Sequence, residues 1–246
     1  MESFGAGVFC SGAVPEDILL KKLHRHAGIF PATASQLEEF SYAYIEALAS
    51  ADLLGLLQSP FEGWLLAKSG SKARRCLLRS LEPYFSARPW SARLAGRRVL
   101  VVHPFVDSIV SQYRERRALL FSDPQVLPVF DLVTVKAPQT MCGQTAGFSG
   151  WGGALSDLQQ RVAREQFDVA LVGCGAYGLP LAAYIKTRLR KPAIHLGGAT
   201  QLLFGVSGAR WRERPEFASV INEFWRPPLE SERPAGWETI EKGCYW

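Results

Sequence analysis

Residues 168–198 read DVALVGCGAYGLPLAAYIKTRLRKPAIHLGG, and this stretch decides the fold. Two short apolar runs, VALV and AIHL, lie on either side of a segment of helical length, and glycines follow each run. Strands that alternate with helices of ten or more residues pair in parallel through right-handed crossovers. The stretch therefore predicts a strand, a helix and a second, parallel strand.

The same alternation extends in both directions from this unit. Upstream, RRVLVVHPF predicts a strand that ends at His103, and Asp107 is expected to cap the helix SIVSQYRERRALLF. VLPVFDLVTVKAP predicts another strand, for which Pro128 indicates an edge position or a late start, and ALSDLQQRVAREQF predicts a helix. Downstream, ATQLLFGV indicates a short helix or turn. The predicted fold class is α/β, a Rossmann-like open, mainly parallel sheet.

The N-terminal part of the chain has helical rather than strand periodicity. TASQLEEFSYAYIEALASADLLG predicts a helix with Thr33 or Ser35 as its N-cap, and a second helix is expected over residues 72–85. The arginines of that second helix are either a solvated face or a phosphate-binding face. We therefore expect an N-terminal helical region, residues 1–90, as a cap on a Rossmann-like domain, residues 91–246, in one structural unit. The Trp-rich end of the chain predicts an ordered tail packed across that domain.

Composition limits the classes of protein that fit this chain. Its 246 residues are 48% hydrophobic and 21% charged, which excludes a disordered chain. A net charge of +5 attracts small anions but is below that of a nucleic-acid-binding protein, so no nucleic-acid partner is expected. The five scattered cysteines form no CxxC pair and favour a reducing compartment. Two uncharged stretches, residues 169–185 and 192–209, are interrupted by glycines, so we expect no membrane span and a cytoplasmic protein.

Gly173, Gly175 and Gly178 form a GxGxxG motif directly after a predicted strand and at the start of a helix. Glycines at these positions permit a sharp turn and allow a phosphate to approach backbone N–H groups. An NAD-dependent or S-adenosylmethionine-dependent enzyme would place a carboxylate at the end of the next strand. This strand instead ends in His195, Gly197 and Gly198, so both classes remain less favoured alternatives.

Further candidates lie at the carboxyl end of the predicted sheet, where ligands bind in open parallel sheets. His103 and His195 both end strands and are either catalytic or structural. Tyr177 is placed to stack on a base or sugar, and Thr200 and Gln201 are placed to hydrogen-bond one. Arg210 is expected either to hold a diphosphate or to anchor the tail.

Three segments resemble a group of bacterial proteins related to GT-D-fold glycosyltransferases, which occur among surface-polysaccharide genes. They are RRVLVVHPFVDSIVSQYRERRALLF, the stretch from FDVALVGCGAYG to GVSGARW, and the closing WRPPLESERPAGWETIEKGCYW. HAGIFPATASQLEEF and ADLLG are also similar to stretches of that group, so the resemblance covers nearly the whole chain.

The resemblance implies a transferase that binds a nucleotide-sugar at the carboxyl edge of the strands and passes the sugar to a glycan acceptor, with Mn²⁺ or Mg²⁺ as a possible cofactor. Related proteins commonly begin with an RxGxxE element. In this chain only MESFG remains of that region. This indicates either an upstream start or a degraded site. Within that region Glu2 is one candidate base, and His195 is the other. The DxE element of the family is replaced by HLGGATQLLFG. The alternative function is a non-catalytic nucleotide- or sugar-binding module of a polysaccharide assembly system.

Overall fold

The computed structural model describes residues 16–57, 59, 61–240, 243, 245 and 246. Its helices are α1 Glu16–Ala27, α2 Ala34–Ser50, α3 Glu62–Ser69, α4 Val106–Leu120, α5 Trp151–Ala163, α6 Gly178–Thr187, α7 Ala199–Leu203 and α8 Ala209–Arg212. Its strands are β1 Leu53–Leu56, β2 Arg74–Leu77, β3 Arg98–His103, β4 Asp131–Lys136, β5 Val169–Val172 and β6 Ala193–His195. Short 3₁₀ turns connect several of these elements.

The main sheet has four parallel strands in the order β4-β3-β5-β6. β3 lies inside the sheet and is buried over residues 99–103, as its continuous run of Val and Leu predicts. β4 begins three residues after Pro128 and forms an edge, which confirms both expectations for that proline. The protein is thus a mixed α/β protein with a parallel sheet, compatible with a Rossmann-like open fold.

Alternate residues of the strands point into two separate hydrophobic cores. Leu100, Val102 and Val172 pack with α1, α2, α5 and α6 on one face. Val101 and Leu171 pack on the other face with α4 and with aromatic residues of the C-terminal part of the chain. This two-residue period is the reason that each strand is apolar throughout and yet supports a layer of structure on both sides.

The described residues of the C-terminal tail pack across the second face. Trp225, Ile240 and Trp246 are almost completely buried, and the indole N–H of Trp225 donates to the carbonyl of Leu120 at the end of α4. Aromatic side chains of this size contribute to stability mainly through the apolar area that they remove from water.

The N-terminal region is only partly helical. α2 begins where predicted, because Thr33 has extended backbone and its Oγ1 accepts a hydrogen bond from the N–H of Gln36. The predicted helix over residues 72–85 is wrong. β2 pairs in parallel with β1, and two 3₁₀ turns follow it. Backbone pairing with a segment some twenty residues away overrides the local helical spacing, and a purely helical cap is therefore not confirmed.

Within residues 16–57, 59, 61–240, 243, 245 and 246, no helix has the length and apolarity needed to cross a membrane.

Candidate functional site

The glycine motif brings the turn after β5 into direct contact with the turn after β6. A Cβ at Gly173 would lie 2.6 Å from the side chain of Thr200, and a Cβ at Gly178 would overlap the imidazole ring of His195. Gly175 is exposed and has a φ of +55°, which a glycine adopts without strain. Two of the three glycines therefore allow two turns of this chain to pack together, and the side chains of Thr200 and His195 fill the space beside them.

Tyr177, Thr200 and Gln201 are buried and hydrogen-bonded within the fold. The Tyr177 ring stacks on Trp151 and its hydroxyl contacts Thr140 Oγ1 at 2.8 Å, while burial raises the pKa of that hydroxyl. Thr200 Oγ1 donates to the carbonyl of Val172, and the Gln201 amide donates to the carbonyls of Val206 and Tyr245. Their predicted contacts with a base or sugar stay predictions, because in this structure these polar groups bond to other groups of the protein.

His103 is buried at the end of β3 and is held in its neutral form. Its Nδ1 accepts a hydrogen bond from the N–H of Phe105 at 3.0 Å. Burial lowers the pKa of the imidazole to about 3, so the ring carries no charge at neutral pH. In this structure the ring is a packed hydrogen-bond acceptor, and the predicted contact of His103 with a nucleotide-sugar stays a prediction.

The end of α4 that faces the carboxyl edge of the sheet is already occupied by a carboxylate of this chain. This helix end lies beside the point between β3 and β5 where the strand order reverses. In open parallel sheets, a phosphate commonly binds at such a position. Here the Glu232 carboxylate accepts hydrogen bonds from the N–H of Asp107 at 2.9 Å, from the N–H of Ser108 and from Ser108 Oγ. The predicted cap by Asp107 is wrong, since its side chain pairs with Lys136. A phosphate at this helix end would therefore compete with Glu232 for these donors.

Space for a ligand lies beside β6, the edge strand opposite β4. A cavity of about 970 Å³ separates β6 from the two-stranded sheet of β1 and β2. Of the residues predicted from sequence, four line this cavity: His195, Gly197, Gly198 and Arg210. The others do not line it: Gly173, Gly175, Tyr177, Gly178, Thr200, Gln201 and His103. Glu2 lies outside the described residues.

The wall of the cavity combines an apolar part with a charged part. The apolar part comes mainly from leucines of α2, β1 and α3. The charged part brings together Arg79 and Glu82, which follow β2, and Arg210 and Arg214, which follow the turn after β6. Such a combination, a mostly apolar cleft with a few polar groups, is typical of sites for small organic ligands.

The guanidinium groups of this wall differ in how far they are already engaged. Arg79 pairs with Glu216 at 3.1 Å, and Arg210 donates to the hydroxyl of Tyr245 at 2.7 Å. Arg214 is exposed, and its guanidinium makes no hydrogen bond or ion pair with the residues that the structure describes. Arg214 is therefore the arginine best placed to take up a bound phosphate without first losing an internal partner.

His195 is oriented by the end of β5. Its Nδ1 lies 3.1 Å from the carbonyl of Val172, which can only accept, so Nδ1 carries the proton and Nε2 is the basic nitrogen of the neutral ring. This bond and the contact with Gly178 fix the ring at the cavity wall. The geometry suits a side chain that accepts a proton or hydrogen bond from a ligand at Nε2.

Glu82 was not among the predicted site residues, because residues 72–85 were expected to form a helix whose arginines make either a solvated or a phosphate-binding face. Glu82 lines the cavity, and burial, the largest effect, raises the pKa of its carboxyl above 4.5. The opposing effects of Tyr84, Arg79 and Arg214, which lower this pKa, are smaller. The signal that was available is Pro83, which interrupts a helix and so argued against a continuous helix over this segment.

The described residues contain no group of three or more His, Cys, Asp or Glu side chains that could hold a metal ion. The predicted Mn²⁺ or Mg²⁺ thus has no set of ligands in this part of the protein.

Comparison of the chain with protein-family models, with curated proteins and with solved structures finds no match.

Proposed function

We propose that this protein is a glycosyltransferase that binds a nucleotide-sugar donor in the cavity beside β6. The observation that carries the proposal is the position of this cavity at the carboxyl end of β6, bordered by Gly197, Gly198 and His195. Ligands of open parallel sheets bind at that edge, and a volume of about 970 Å³ suits a ligand as large as a nucleotide-sugar. The resemblance of the sequence to GT-D-fold glycosyltransferases supports the class of reaction.

The charges of the cavity agree with a donor that carries a diphosphate. Arg214 and Arg210 lie on the same wall as the glycine turn, and guanidinium groups bind phosphate oxygens in a bidentate way. The diphosphate leaves with negative charge when the sugar is transferred, and fixed positive groups stabilise that charge. The leucine-lined part of the cavity is then available for the base and the sugar.

The first experiment measures binding of UDP-, GDP-, CMP- and dTDP-sugars, together with NAD and S-adenosylmethionine as competing classes. A ligand present at a hundred times its Kd adds about 2.7 kcal/mol to the free energy of unfolding, which a thermal shift detects. We expect stabilisation by one class of nucleotide-sugar, and loss of that shift in Arg214→Ala. The matched control is Arg114→Ala, which removes an exposed arginine that does not line the cavity.

A response to NAD or S-adenosylmethionine alone contradicts the proposal. Binding of a nucleotide-sugar without any sugar transfer or hydrolysis supports the alternative function, a non-catalytic binding module. One observation favours that alternative. Among the described carboxylates that line the cavity, Asp52 and Glu62 are engaged in internal contacts, which leaves Glu82 as the carboxylate available for proton transfer.

A further inference from the structure

The backbone holds Glu82 between two 3₁₀ turns at the wall of the cavity. Its N–H donates to the carbonyl of Arg79 at 3.0 Å, and its carbonyl accepts from the N–H of Phe85 at 3.2 Å. Pro83 follows directly and restricts the backbone at the start of the second turn. The position of the side chain is thus set by the fold on both sides, as a group that acts on a bound ligand requires.

The two oxygens of the Glu82 carboxyl have different surroundings. Oε2 is buried and has no hydrogen-bond partner among the described residues, whereas Oε1 is not among the buried atoms. The buried hydroxyl of Tyr84 lies near this carboxyl but outside good hydrogen-bond geometry, and it still lowers the pKa of Glu82. One side of the carboxyl therefore faces Tyr84, and the residue as a whole lines the cavity.

Asp52 and Glu62, the other carboxylates of the cavity wall among the described residues, already have partners. Asp52 pairs with Lys186 at 2.7 Å, and Glu62 accepts hydrogen bonds from the backbone N–H groups of Leu57 and Ser59. Oδ1 of Asp52 and both carboxylate oxygens of Glu62 are therefore already engaged. Among the described carboxylates that line the cavity, Glu82 is the one that forms no ion pair and accepts no backbone hydrogen bond, and Tyr84 is its neighbouring donor.

We propose that Glu82 is the base of the cleft, which takes the proton from the hydroxyl group that attacks the bound sugar, and that Tyr84 is its positioning residue. This assignment rests on the proposed function. The attacking oxygen forms a bond to the anomeric carbon and gives its proton to the Glu82 carboxylate. The bond from that carbon to the diphosphate oxygen breaks, and its electron pair leaves with the nucleoside diphosphate, whose charge Arg214 balances. Glu82 then returns the proton to water.

The charges around Glu82 suit this role. Burial and the neighbouring Glu216 raise the pKa of the carboxyl, while Tyr84 and the guanidinium groups of Arg79 and Arg214 lower it. Burial is the largest of these effects, so the carboxyl is a stronger base than an exposed glutamate. The same burial makes the charged form costly, which is a common property of functional sites.

The experiment follows hydrolysis of the panel of nucleotide-sugars by the full chain, with water as the acceptor, in parallel with donor binding. We expect Glu82→Gln to retain donor binding and to lower the rate of hydrolysis by about 100- to 10,000-fold. The matched control is Glu46→Gln, the same change at an exposed carboxylate that does not line the cavity, which leaves the rate unchanged. Tyr84→Phe shifts the acidic limb of the pH profile upward, because it removes a contact that lowers the pKa of Glu82.

Thermal unfolding supplies a readout that does not depend on the activity. Near neutral pH we expect Glu82→Gln to be more stable than the wild type, because a neutral amide is free of the cost of burying a charge. A destabilised Glu82→Gln, or one that hydrolyses donor at the wild-type rate, overturns the assignment of Glu82 and leaves the proposed function intact. A wild-type chain that neither binds nor hydrolyses any donor overturns the proposed function, and the role of Glu82 falls with it.

Discussion

The contact between Glu232 and the start of α4 provides the sharpest test of how the tail holds this fold. Glu232 is 1% exposed and Ser108 is 4% exposed, so the bonds between them are shielded from water. Ser108 Oγ also accepts a hydrogen bond from the N–H of Leu229, which ties the tail to the helix a second time. We expect Glu232→Ala to lower the free energy of unfolding substantially.

The magnitude follows from the groups that lose their partner. Loss of a helix cap costs about 0.5–2 kcal/mol, and a buried donor without an acceptor costs about 1–3 kcal/mol. Glu232→Ala leaves the N–H groups of Asp107 and Ser108 and the Ser108 hydroxyl without this acceptor. Since these contributions overlap, we expect a total loss of about 2–4 kcal/mol. Glu232→Gln keeps one acceptor oxygen and is expected to lose about half as much.

Urea unfolding near neutral pH measures the loss, and the control is Glu230→Ala. Glu230 belongs to the same 3₁₀ turn but its side chain is exposed, so its removal should change the free energy of unfolding by less than about 0.5 kcal/mol. Hydrogen exchange adds a local readout, because the amides of Asp107 and Ser108 should lose protection in Glu232→Ala. If Glu232→Ala is no less stable than Glu230→Ala, the tail does not cap α4 and the reasoning is refuted.

Three further predictions concern single residues. Because the pKa of His103 falls from 6.5 to about 3 on folding, the folded state binds fewer protons between these values. The contribution of the neutral ring to the free energy of unfolding is present above pH 6.5 and is lost toward pH 3 at about 1.4 kcal/mol per pH unit. In His103→Gln, the slope of stability against pH on the acid side should therefore decrease by the equivalent of one proton. An unchanged slope contradicts this prediction. Gly178→Ala should lower the free energy of unfolding, measured in urea, by about 1–3 kcal/mol, because the added Cβ meets the His195 ring. The control Gly63→Ala adds a Cβ in open space and should not lower it. Thr33→Ala removes the N-cap of α2 and should lower the free energy of unfolding by about 1 kcal/mol. Equal stability of this variant and the wild type would argue against the cap.

Only part of the candidate site was predictable from sequence patterns. The glycine motif was correctly placed between β5 and α6, and His195 and Arg210 do line the cavity. The cavity itself was not predictable, because its charged wall joins residues near position 80 with residues 195–214. Nothing local to Glu82 or Arg214 indicates that they lie on one wall.

The sequence by itself determined the main sheet and α2. A parallel strand buried on both faces must be apolar throughout, so VLVV and VALV are readable without any partner, and Thr33 caps α2 through a contact only three residues long. Tertiary structure alone decided the pairing of β1 with β2 and the cap of α4 by Glu232. Both depend on backbone groups that bond to a distant part of the chain. A backbone N–H has the same chemistry in every residue except proline, so the sequence carries no local mark of which distant acceptor it will find.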